Sequence, residues 1–294
     1  LLLFFQMFSI FSLIIKSLFV LKKKKIDILI STGGYMSFPL CIAAKFLGIK
    51  ILLFEPNMVI GRSNKLFLSF CKYIFCYSKD LKNFPKKYEN KILLISPLIR
   101  KVFYSYKSNI KKEVNKFRVM IVGGSQGAKI FDTHSQYSIL DLSKKFNLKI
   151  LHQTTKEKIV QLSNFYNENK IDNYVFDYDD NFIDLIHNVD LCITRAGAST
   201  ISELTFLGIP FLAIPLPTAK DNHQFENANF YEKKNCCWIL NQKDFDSHRL
   251  KEILTEIIEN KSDYFEKKNN LKNLNYQNHW NNINQKIIEI INEN

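Results

Sequence analysis

The sequence predicts an α/β protein built of two Rossmann-like halves joined by a linker, and three observations predict it. Short apolar runs alternate with helix-like segments through most of the chain. The alternation stops once, in the basic, weakly periodic stretch RKVFYSYKSNIKKEVNK (100–116), and restarts at residue 117. Glycines stand where strand patterns hand over to helix patterns, at Gly33-Gly34, Gly123-Gly124 and Gly197. Apolar strands separated by helices read as parallel sheets covered on both faces, and 294 residues suffice for two medium domains.

The chain opens on LLLFFQMFSIFSLIIKSLFVLKKKK, nearly long enough to span a bilayer. Polar or small residues at 9, 12, 16 and 17 interrupt it and leave Phe8, Phe11, Leu13, Ile14, Leu18 and Phe19 on the other side of a helix. No basic segment precedes the apolar stretch, as a signal peptide requires. An amphipathic helix whose true start lies upstream is favoured over a spanning one. Ile26–Ile30 then reads as a strand, LCIAAKFLG as a helix, KILLFEP as a buried strand and SNKLFLSFCKY as a helix. IFCYSKDL and KILLISP supply two more strands. After the linker, strand 117–122 leads through GGSQGA into a helix, followed by LKILHQTT (strand), KEKIVQLSNFYNE (helix) and YVFDY (strand). FIDLIHNV, DLCIT, ASTISELTFLG, PFLAIPLP, NHQFENANFYEKK and CWIL continue the alternation, and a polar helical tail begins at Ser247.

A hydrophobic fraction of 46% excludes a disordered chain. The net charge of +13 admits nucleic acid, an anionic membrane surface, acidic small substrates, or scattered lysines without function. The six cysteines form no CxxC pair and no Cys/His ligand spacing, so neither a metal site nor a disulfide framework is expected, and a reducing compartment follows.

The junction loops carry the chemistry. In VGGSQGAK (122–129), glycines 123, 124 and 127 let backbone N–H groups approach an anion at a helix's positive end, with Ser125 adding a hydroxyl. No acid follows at the end of the next strand, which disfavours a dinucleotide, and no Gly-Lys-Ser/Thr marks a P-loop. A tight turn without a ligand is the other reading of this segment. TRAGASTISE (194–203) repeats the arrangement: Gly197 permits close approach, and Glu203 either takes both hydroxyls of a ribose or closes a capping box with Thr200. PLPTAKDNHQFENA (215–228) sets His223, Gln224 and Asn227 on one face of a helix start, where groups that donate and accept suit sugar hydroxyls. In the first half, STGGYMSFP and FEPNMVIGRSN bring Gly33, Gly34, Glu55, Asn57, Gly61 and Asn64 to strand ends; turn formation explains Gly61 and Asn64 equally well.

In this order, STGGYMSFPLCIAAKFLGIKILLFEPNMVIGRSNK, VGGSQGAK, HQTT and TRAGASTISELTFLGIPFLAIPLPTAKDNHQFENA resemble the MurG family of N-acetylglucosaminyltransferases, from about Phe8 to Trp238. The resemblance implies the GT-B architecture, two Rossmann-like domains facing across a cleft. It implies an incomplete N-terminal acceptor and membrane-facing domain at 1–100, a linker at 101–116, a UDP-sugar-binding domain at 117–275 and a helical tail at 276–294. The implied activity is inverting transfer of N-acetylglucosamine from UDP-N-acetylglucosamine (UDP-GlcNAc) to a polyprenyl-linked muramyl-pentapeptide, in peptidoglycan synthesis, with no tightly bound cofactor. By resemblance, Ser125 holds the diphosphate, Ala198, Ser199, Thr200, Ile201, Ser202 and Glu203 lie along the nucleotide with Glu203 on the ribose, the segment at Asp179 meets uracil through its backbone, and Gln224 contacts the sugar. Arg100 matches a linker arginine that reaches the donor, and Asn57 the asparagine of an E-Q-N motif. Gly33, Gly34, Gly123, Gly124, His223 and Asn227 complete the implied cleft.

Departures accompany these matches: Pro56 stands for a Gln, SPLIR lacks a Gly-Asn-Pro, and Thr155 replaces a Gly. The family's first glycine loop, with the histidine proposed as general base, is expected before residue 1, so no catalytic base is assigned. A lipid acceptor also re-reads the charge: Phe8, Phe11, Ile14 and Lys22, Lys23, Lys24 and Lys25 would attach the chain peripherally to the cytoplasmic face of an anionic inner membrane, with no role for nucleic acid. A related transferase acting on another lipid, and a non-catalytic UDP-sugar-binding remnant, are the competing readings.

Overall fold

The computed structural model describes residues 2–106, 115–123, 128–275 and 280–292. The chain divides into two compact units, Leu1–Pro97 with Asn281–Asn294, and Leu98–Trp280.

In the first unit, α1 (Leu2–Lys23) precedes β1 (Ile28–Ser31), α2 (Ser37–Phe46), β2 (Lys50–Glu55), α3 (Arg62–Phe67), β3 (Tyr73–Cys76) and β4 (Ile92–Leu94). The four strands pair in parallel in sequence order. Their core is Ile51, Leu53, Ile74 and Cys76, with Cys41, Ala43 and Ala44 of α2 packed against it and Phe67 and Leu68 beside them. Small residues on the inner face of α2 let helix and sheet approach closely, where dispersion contacts are densest.

The position of α1 corrects the rotation expected of it. Leu21 is buried and Leu18 packs on the core, while Ile14 is half-buried. The open face carries Phe8, Phe11, Ile15 and Phe19, spaced at three and four residues along one stripe. The inner row is the stripe 14, 18, 21, so Ile15 takes the exposed place expected of Ile14. Among the described residues, no helix is long and apolar enough to cross a membrane.

In the second unit, α4 (Lys101–Ser105), β5 (Phe117–Val122), α5 (Ala128–Ser143), β6 (Leu148–Gln153), α6 (Ile159–Glu168), β7 (Asp172–Phe176), α7 (Phe182–His187), β8 (Leu191–Thr194), α8 (Ala198–Leu207), β9 (Phe211–Ala213), α9 (His223–Glu232) and β10 (Cys237–Ile239) follow in turn, then α10 (Ser247–Glu259) and α11 (Lys261–Asn275). The six strands are all parallel in the order β7-β6-β5-β8-β9-β10. Numbered from β5, this is the 3-2-1-4-5-6 order of a dinucleotide-type fold, and its topological switch point lies between β5 and β8. Both faces of the sheet are buried: Val119, Ile121, Ile150 and Ile193 turn to one cluster, and Met120, Leu151 and Cys192 to the other. The strand centres accordingly read as apolar runs, Val119–Val122, Ile150–Leu151 and Leu191–Ile193 among them.

Two findings concern the stretches outside the alternation. The segment expected as linker contains α4, whose Phe103 is buried in the second unit's core beside Ile99, Ile201 and Leu204. The tail ends in α12 (Trp280–Asn292), and most of that helix belongs with the first unit, where Ile283 and Ile290 are buried and Lys286 Nζ donates to the Leu94 carbonyl at 2.8 Å.

Candidate functional site

The switch point determines which loops meet. Val122, the last residue of β5, pairs with Thr194, the last of β8, so the chain leaves the sheet side by side at Gly123 and Arg195. From an open α/β sheet, this carboxyl edge is where a ligand binds. Gly123 is buried there; Gly124 and Ser125 lie outside the described residues.

At the second exit, α8 starts on Gly197 in an extended conformation (φ −69°, ψ 137°), a residue with no side chain of its own to cap the helix. Thr200 is inside the helix, so the capping box weighed for Thr200 and Glu203 does not form. Ser202 Oγ donates back to the Ala198 carbonyl at 2.7 Å, and Ile201 is fully buried. Ser199 is exposed and Thr200 half-buried. First-turn N–H groups at the positive end of a helix dipole favour an anion.

Glu203 is spoken for by another residue. Arg100 Nε donates to Oε1 at 2.7 Å and Nη2 to Oε2 at 3.0 Å, a two-point fork. The carboxylate is only 11% exposed, the arginine side chain 56%. The guanidinium carbon lies 4.8 Å from the Phe103 ring centre and 5.7 Å from that of Phe182, both within cation–π range. Phe182 begins α7, and Asp179 builds the turn before it: its carbonyl accepts from Phe182 N at 3.2 Å and its carboxylate from Asn181 N at 2.7 Å and Tyr174 Oη at 2.6 Å. The Asp179 side chain is therefore structural, as a segment that meets a base through its backbone allows.

The third loop reaches α9 through Asp221 and Asn222, both left-handed (φ 54° and 56°), a conformation Asp and Asn tolerate better than other side chains. Gln224 Oε1 accepts from Leu216 N at 2.9 Å, leaving its amide nitrogen for other partners. His223 Nδ1 meets the Lys220 carbonyl at 2.8 Å. Asn227 corrects the expected trio: it is buried, and its Nδ2 donates to the Ala196 carbonyl at 3.1 Å, so it ties α9 to the start of α8 rather than facing the loop.

The first unit gathers its own cluster at the carboxyl ends of β1 and β2. The Glu55 carboxylate, 3% exposed, accepts from Asn57 N (3.2 Å), Asn57 Nδ2 (3.0 Å), Gly61 N (2.8 Å) and Asn64 Nδ2 (3.0 Å). Asn57 is thus a ligand of Glu55. Gly33 and Gly34 are left-handed (φ 80° and 85°), and a Cβ on Gly33 would stand 3.2 Å from Asn64 Oδ1.

Two groupings escaped the sequence reading. Asp132 on α5 accepts from Thr154 Oγ1 at 2.9 Å, pairs with Lys158 Nζ at 3.2 Å, and faces His152 Nε2 at 3.4 Å. The other nitrogen of His152 meets Tyr166 Oη at 2.9 Å. Burial holds the His152 ring below its ordinary pKa against the pull of Asp132, so the ring is neutral. A carboxylate only accepts, which assigns the ring proton to Nε2. For Asp132, burial works upward, but His152, Thr154 and Lys158 outweigh it and hold the carboxyl below the usual value. The network locks the first turns of α5, which follow the glycine loop, to the end of β6. Its signal in the sequence was the HQTT strand exit. The second is Arg195, 9% exposed: Nη1 donates to the Ile214 carbonyl at 3.0 Å, the guanidinium lies 5.0 Å from the Phe131 ring centre, and burial lowers its pKa. Among the described residues, no three His, Cys, Asp or Glu side chains converge as metal ligands do.

A Rossmann-type sheet with glycine exits at its switch point defines a nucleotide-binding α/β protein, and comparison with known families narrows the class. Residues 2–76 match the Glycosyltransferase family 28 N-terminal domain and residues 118–283 its C-terminal domain. A protein of Pelagibacter ubique (strain HTCC1062) is 54% identical over 287 residues, 98% of this chain and 80% of that one. It carries the name UDP-N-acetylglucosamine--N-acetylmuramyl-(pentapeptide) pyrophosphoryl-undecaprenol N-acetylglucosamine transferase, as does a Rickettsia bellii (strain RML369-C) protein, 36% identical over 84% of this chain and 70% of its own. Acinetobacter baumannii MurG superposes with a TM-score of 0.79 at 23% identity, over 98% of this chain and 80% of that one. A Neisseria meningitidis UDP-GlcNAc 2-epimerase bound to UDP-GlcNAc gives 0.66 at 15% identity, over 97% and 81%. The two structural likenesses establish the GT-B fold class. The chain belongs to glycosyltransferase family 28, and within it to the MurG-type N-acetylglucosaminyltransferases.

Proposed function

We propose that this chain transfers N-acetylglucosamine from UDP-GlcNAc to an undecaprenyl-diphosphate-linked muramyl-pentapeptide, with inversion at the anomeric carbon. The observation that carries the donor half of this reading is the carboxyl edge at β5 and β8, where α8 begins on Gly197 and Glu203 follows on the same helix. The glycine loop with Ser125 and the first turn of α8 (Ala198, Ser199, Thr200) receive the diphosphate. Ile201 and Ser202 support that turn from inside, and Glu203 takes the ribose diol. The backbone around Asp179 faces uracil, Gln224 offers its free amide nitrogen to the sugar, and His223 edges the same loop.

The acceptor's 4-hydroxyl attacks the anomeric carbon, the bond from that carbon to the diphosphate oxygen breaks, and the hydroxyl proton passes to a base not assigned here. UDP leaves with one more negative charge on its terminal phosphate. Preorganised N–H groups at a helix N-terminus stabilise charge developing there, which is worth most in a site closed to water.

The second unit is the donor-binding one in this reading, and the first serves the acceptor and the membrane. Phe8, Phe11, Ile15 and Phe19 on the open face of α1, followed by exposed Lys22–Lys25, support peripheral attachment to the cytoplasmic face of an anionic bilayer. Calorimetric titration with UDP-GlcNAc tests the donor site: the Glu203→Ala chain binds at least about tenfold more weakly, and undiminished affinity removes Glu203 from it.

A further inference from the structure

A carboxylate buried at the end of β2, in the unit read as serving the acceptor, makes Glu55 a natural candidate for the unassigned base. The geometry points to a different role: we propose that Glu55 is a positioning residue for the acceptor, the hub that holds the Asn57 loop and the Gly33-Gly34 turn in one arrangement. This rests on the reading of the first unit as the acceptor-binding one.

Both oxygens of Glu55 are taken. Oε1 accepts from Asn57 N at 3.2 Å and Asn57 Nδ2 at 3.0 Å, and Oε2 from Gly61 N at 2.8 Å and Asn64 Nδ2 at 3.0 Å. A carboxylate has about four lone-pair directions, two on each oxygen, so these four N–H groups leave none for a substrate hydroxyl. A base must come within about 2.6–3.2 Å of the group whose proton it takes, and a residue only 3% exposed does not. Gly61 is an independent sign that the carboxylate belongs where it is. Its backbone is extended (φ −66°, ψ 146°), open to any residue, so no turn calls for glycine there. A Cβ at Gly61 would stand 3.0 Å from Glu55 Oε2; the glycine makes room for the carboxylate.

From Glu55 the support passes to the turn after β1. Asn64 Nδ2 also donates to the Phe54 carbonyl at 3.0 Å, and two acceptors on that nitrogen fix which way the amide faces. Its Oδ1 therefore lies under Gly33, 3.2 Å from where a Cβ would stand, and no donor among the described residues reaches it. Ser63, its neighbour on α3, supports the second glycine. Ser37 Oγ donates to the Gly34 carbonyl at 2.8 Å, which uses its one proton, so across the 3.0 Å contact between Ser37 and Ser63 it is Ser63 that donates. Two successive left-handed glycines have no side chains to hold them and lose the most freedom on ordering. The turn thus takes its shape from α3, and α3 takes its place from Glu55. A glutamine at 55 keeps the size but aims an N–H₂ group at N–H donors. The arrangement that fits the acceptor then becomes a smaller fraction of the chains, and acceptor affinity falls by that fraction.

The test follows sugar transfer against acceptor concentration, with undecaprenyl-diphosphoryl-muramyl-pentapeptide in mixed micelles and saturating UDP-GlcNAc, between about pH 5.5 and 9. The full chain is compared with its Glu55→Gln, Gly61→Ala and Asn64→Ala variants, and circular dichroism checks that each is folded. Calorimetry measures UDP-GlcNAc binding, and a fluorescently labelled acceptor in the same micelles reports binding without turnover. Glu55→Gln raises the acceptor KM by about tenfold or more, the worth of a hydrogen bond to a charged group; Gly61→Ala and Asn64→Ala raise it by about threefold or more. The rate at saturating acceptor stays within about threefold, the pH profile keeps its shape, and UDP-GlcNAc binds as in the wild type. An unchanged acceptor KM in Glu55→Gln, with the saturated rate down by about a hundredfold or one limb of the pH profile lost, overturns the proposal and makes Glu55 the base. Weaker UDP-GlcNAc binding at an unchanged acceptor KM overturns instead the reading of the first unit beneath it. A wild-type chain that binds the labelled acceptor but transfers nothing counts against the reaction alone, and the shifts in acceptor affinity still decide the role of Glu55. If Glu55→Gln does not fold, Gly61→Ala decides, since it keeps every charge: wild-type acceptor affinity in that variant refutes the positioning role.

Discussion

Replacing Asp132 by Asn tests whether the buried network behind the glycine loop is as stiff as its geometry implies. Asn keeps the shape but loses the charge and turns an N–H₂ group toward groups that already donate. The bond from Thr154 Oγ1, 2.9 Å long and made to a charged acceptor, is worth about 1.5–3 kcal/mol. The Lys158 pair involves a lysine side chain 34% exposed and adds about 0.5–1 kcal/mol after screening. The sum, about 2–4 kcal/mol, lowers the melting temperature of a unit this size by roughly 5–15 °C. Thermal and urea unfolding followed by circular dichroism measure it. A loss below about 0.5 kcal/mol refutes the argument, since only an exposed, solvated pair is worth so little. The pH dependence has a definite sign. His152 is held below its ordinary value of 6.5 by burial, so below that pH the unfolded chain binds a proton the folded chain refuses. Its contribution is complete above about pH 6.5 and is lost as pH falls, at no more than about 1.4 kcal/mol per pH unit. Asp132, also depressed, keeps its contribution until the pH nears its ordinary value of 3.8 and loses it below. His152→Asn therefore flattens the fall in stability between pH 6.5 and 5, and an unchanged slope contradicts the assignment of a neutral ring.

Other expectations follow from single features. Gly33→Ala destabilises the first unit more than Gly34→Ala: both lose a left-handed glycine, but only the former drives a methyl to 3.2 Å from Asn64 Oδ1. Urea midpoints should differ by about 1 kcal/mol or more, and equal effects would show that Asn64 yields freely. All six cysteines are buried, and burial pushes thiols up, Cys76 to about 12 and Cys236 to about 11. A thiolate-specific reagent at pH 7.5 therefore labels fewer than one thiol per native chain and all six in denaturant; rapid native labelling contradicts this. Replacing Phe8, Phe11 and Phe19 together by Ser weakens sedimentation with anionic phosphatidylglycerol vesicles, whereas Ile14→Ser costs stability instead. Equal loss of vesicle binding from Ile14→Ser alone would refute the rotation of α1.

The architecture was legible because the centres of buried parallel strands are apolar runs: the predicted strands at 50–56 and 117–122 overlie β2 and β5. Segments whose fate depends on a distant partner were harder to read. Residues 101–105 look like basic linker because only Phe103 and its neighbours face inward, and α12 is polar enough to pass for a tail although two isoleucines dock it on the first unit. The rotation of α1 was misjudged at Ile14 because isoleucines 14 and 15 are alike in type, and only packing beneath the helix chooses between them. At the site, glycines and polar clusters marked the right loops, since backbone approach and helix starts leave local signatures. Who bonds whom did not show. Spacing offered Thr200 as a partner for Glu203, and the chain instead uses Arg100, 103 residues away. Asn227 reads as a ligand-facing amide and is a buried tie between α9 and α8.

Label transfer tests the functional account most directly. The full chain is incubated with UDP-GlcNAc labelled in the sugar and with undecaprenyl-diphosphoryl-muramyl-pentapeptide in mixed micelles, and lipid-extractable label and released UDP are both counted. The account predicts that label enters the lipid only when both substrates are present, that one UDP appears per sugar transferred, and that the Glu203→Ala chain loses most of the rate. Saturable donor binding with no label in the lipid would contradict it and leave a protein that holds a UDP-sugar without using it.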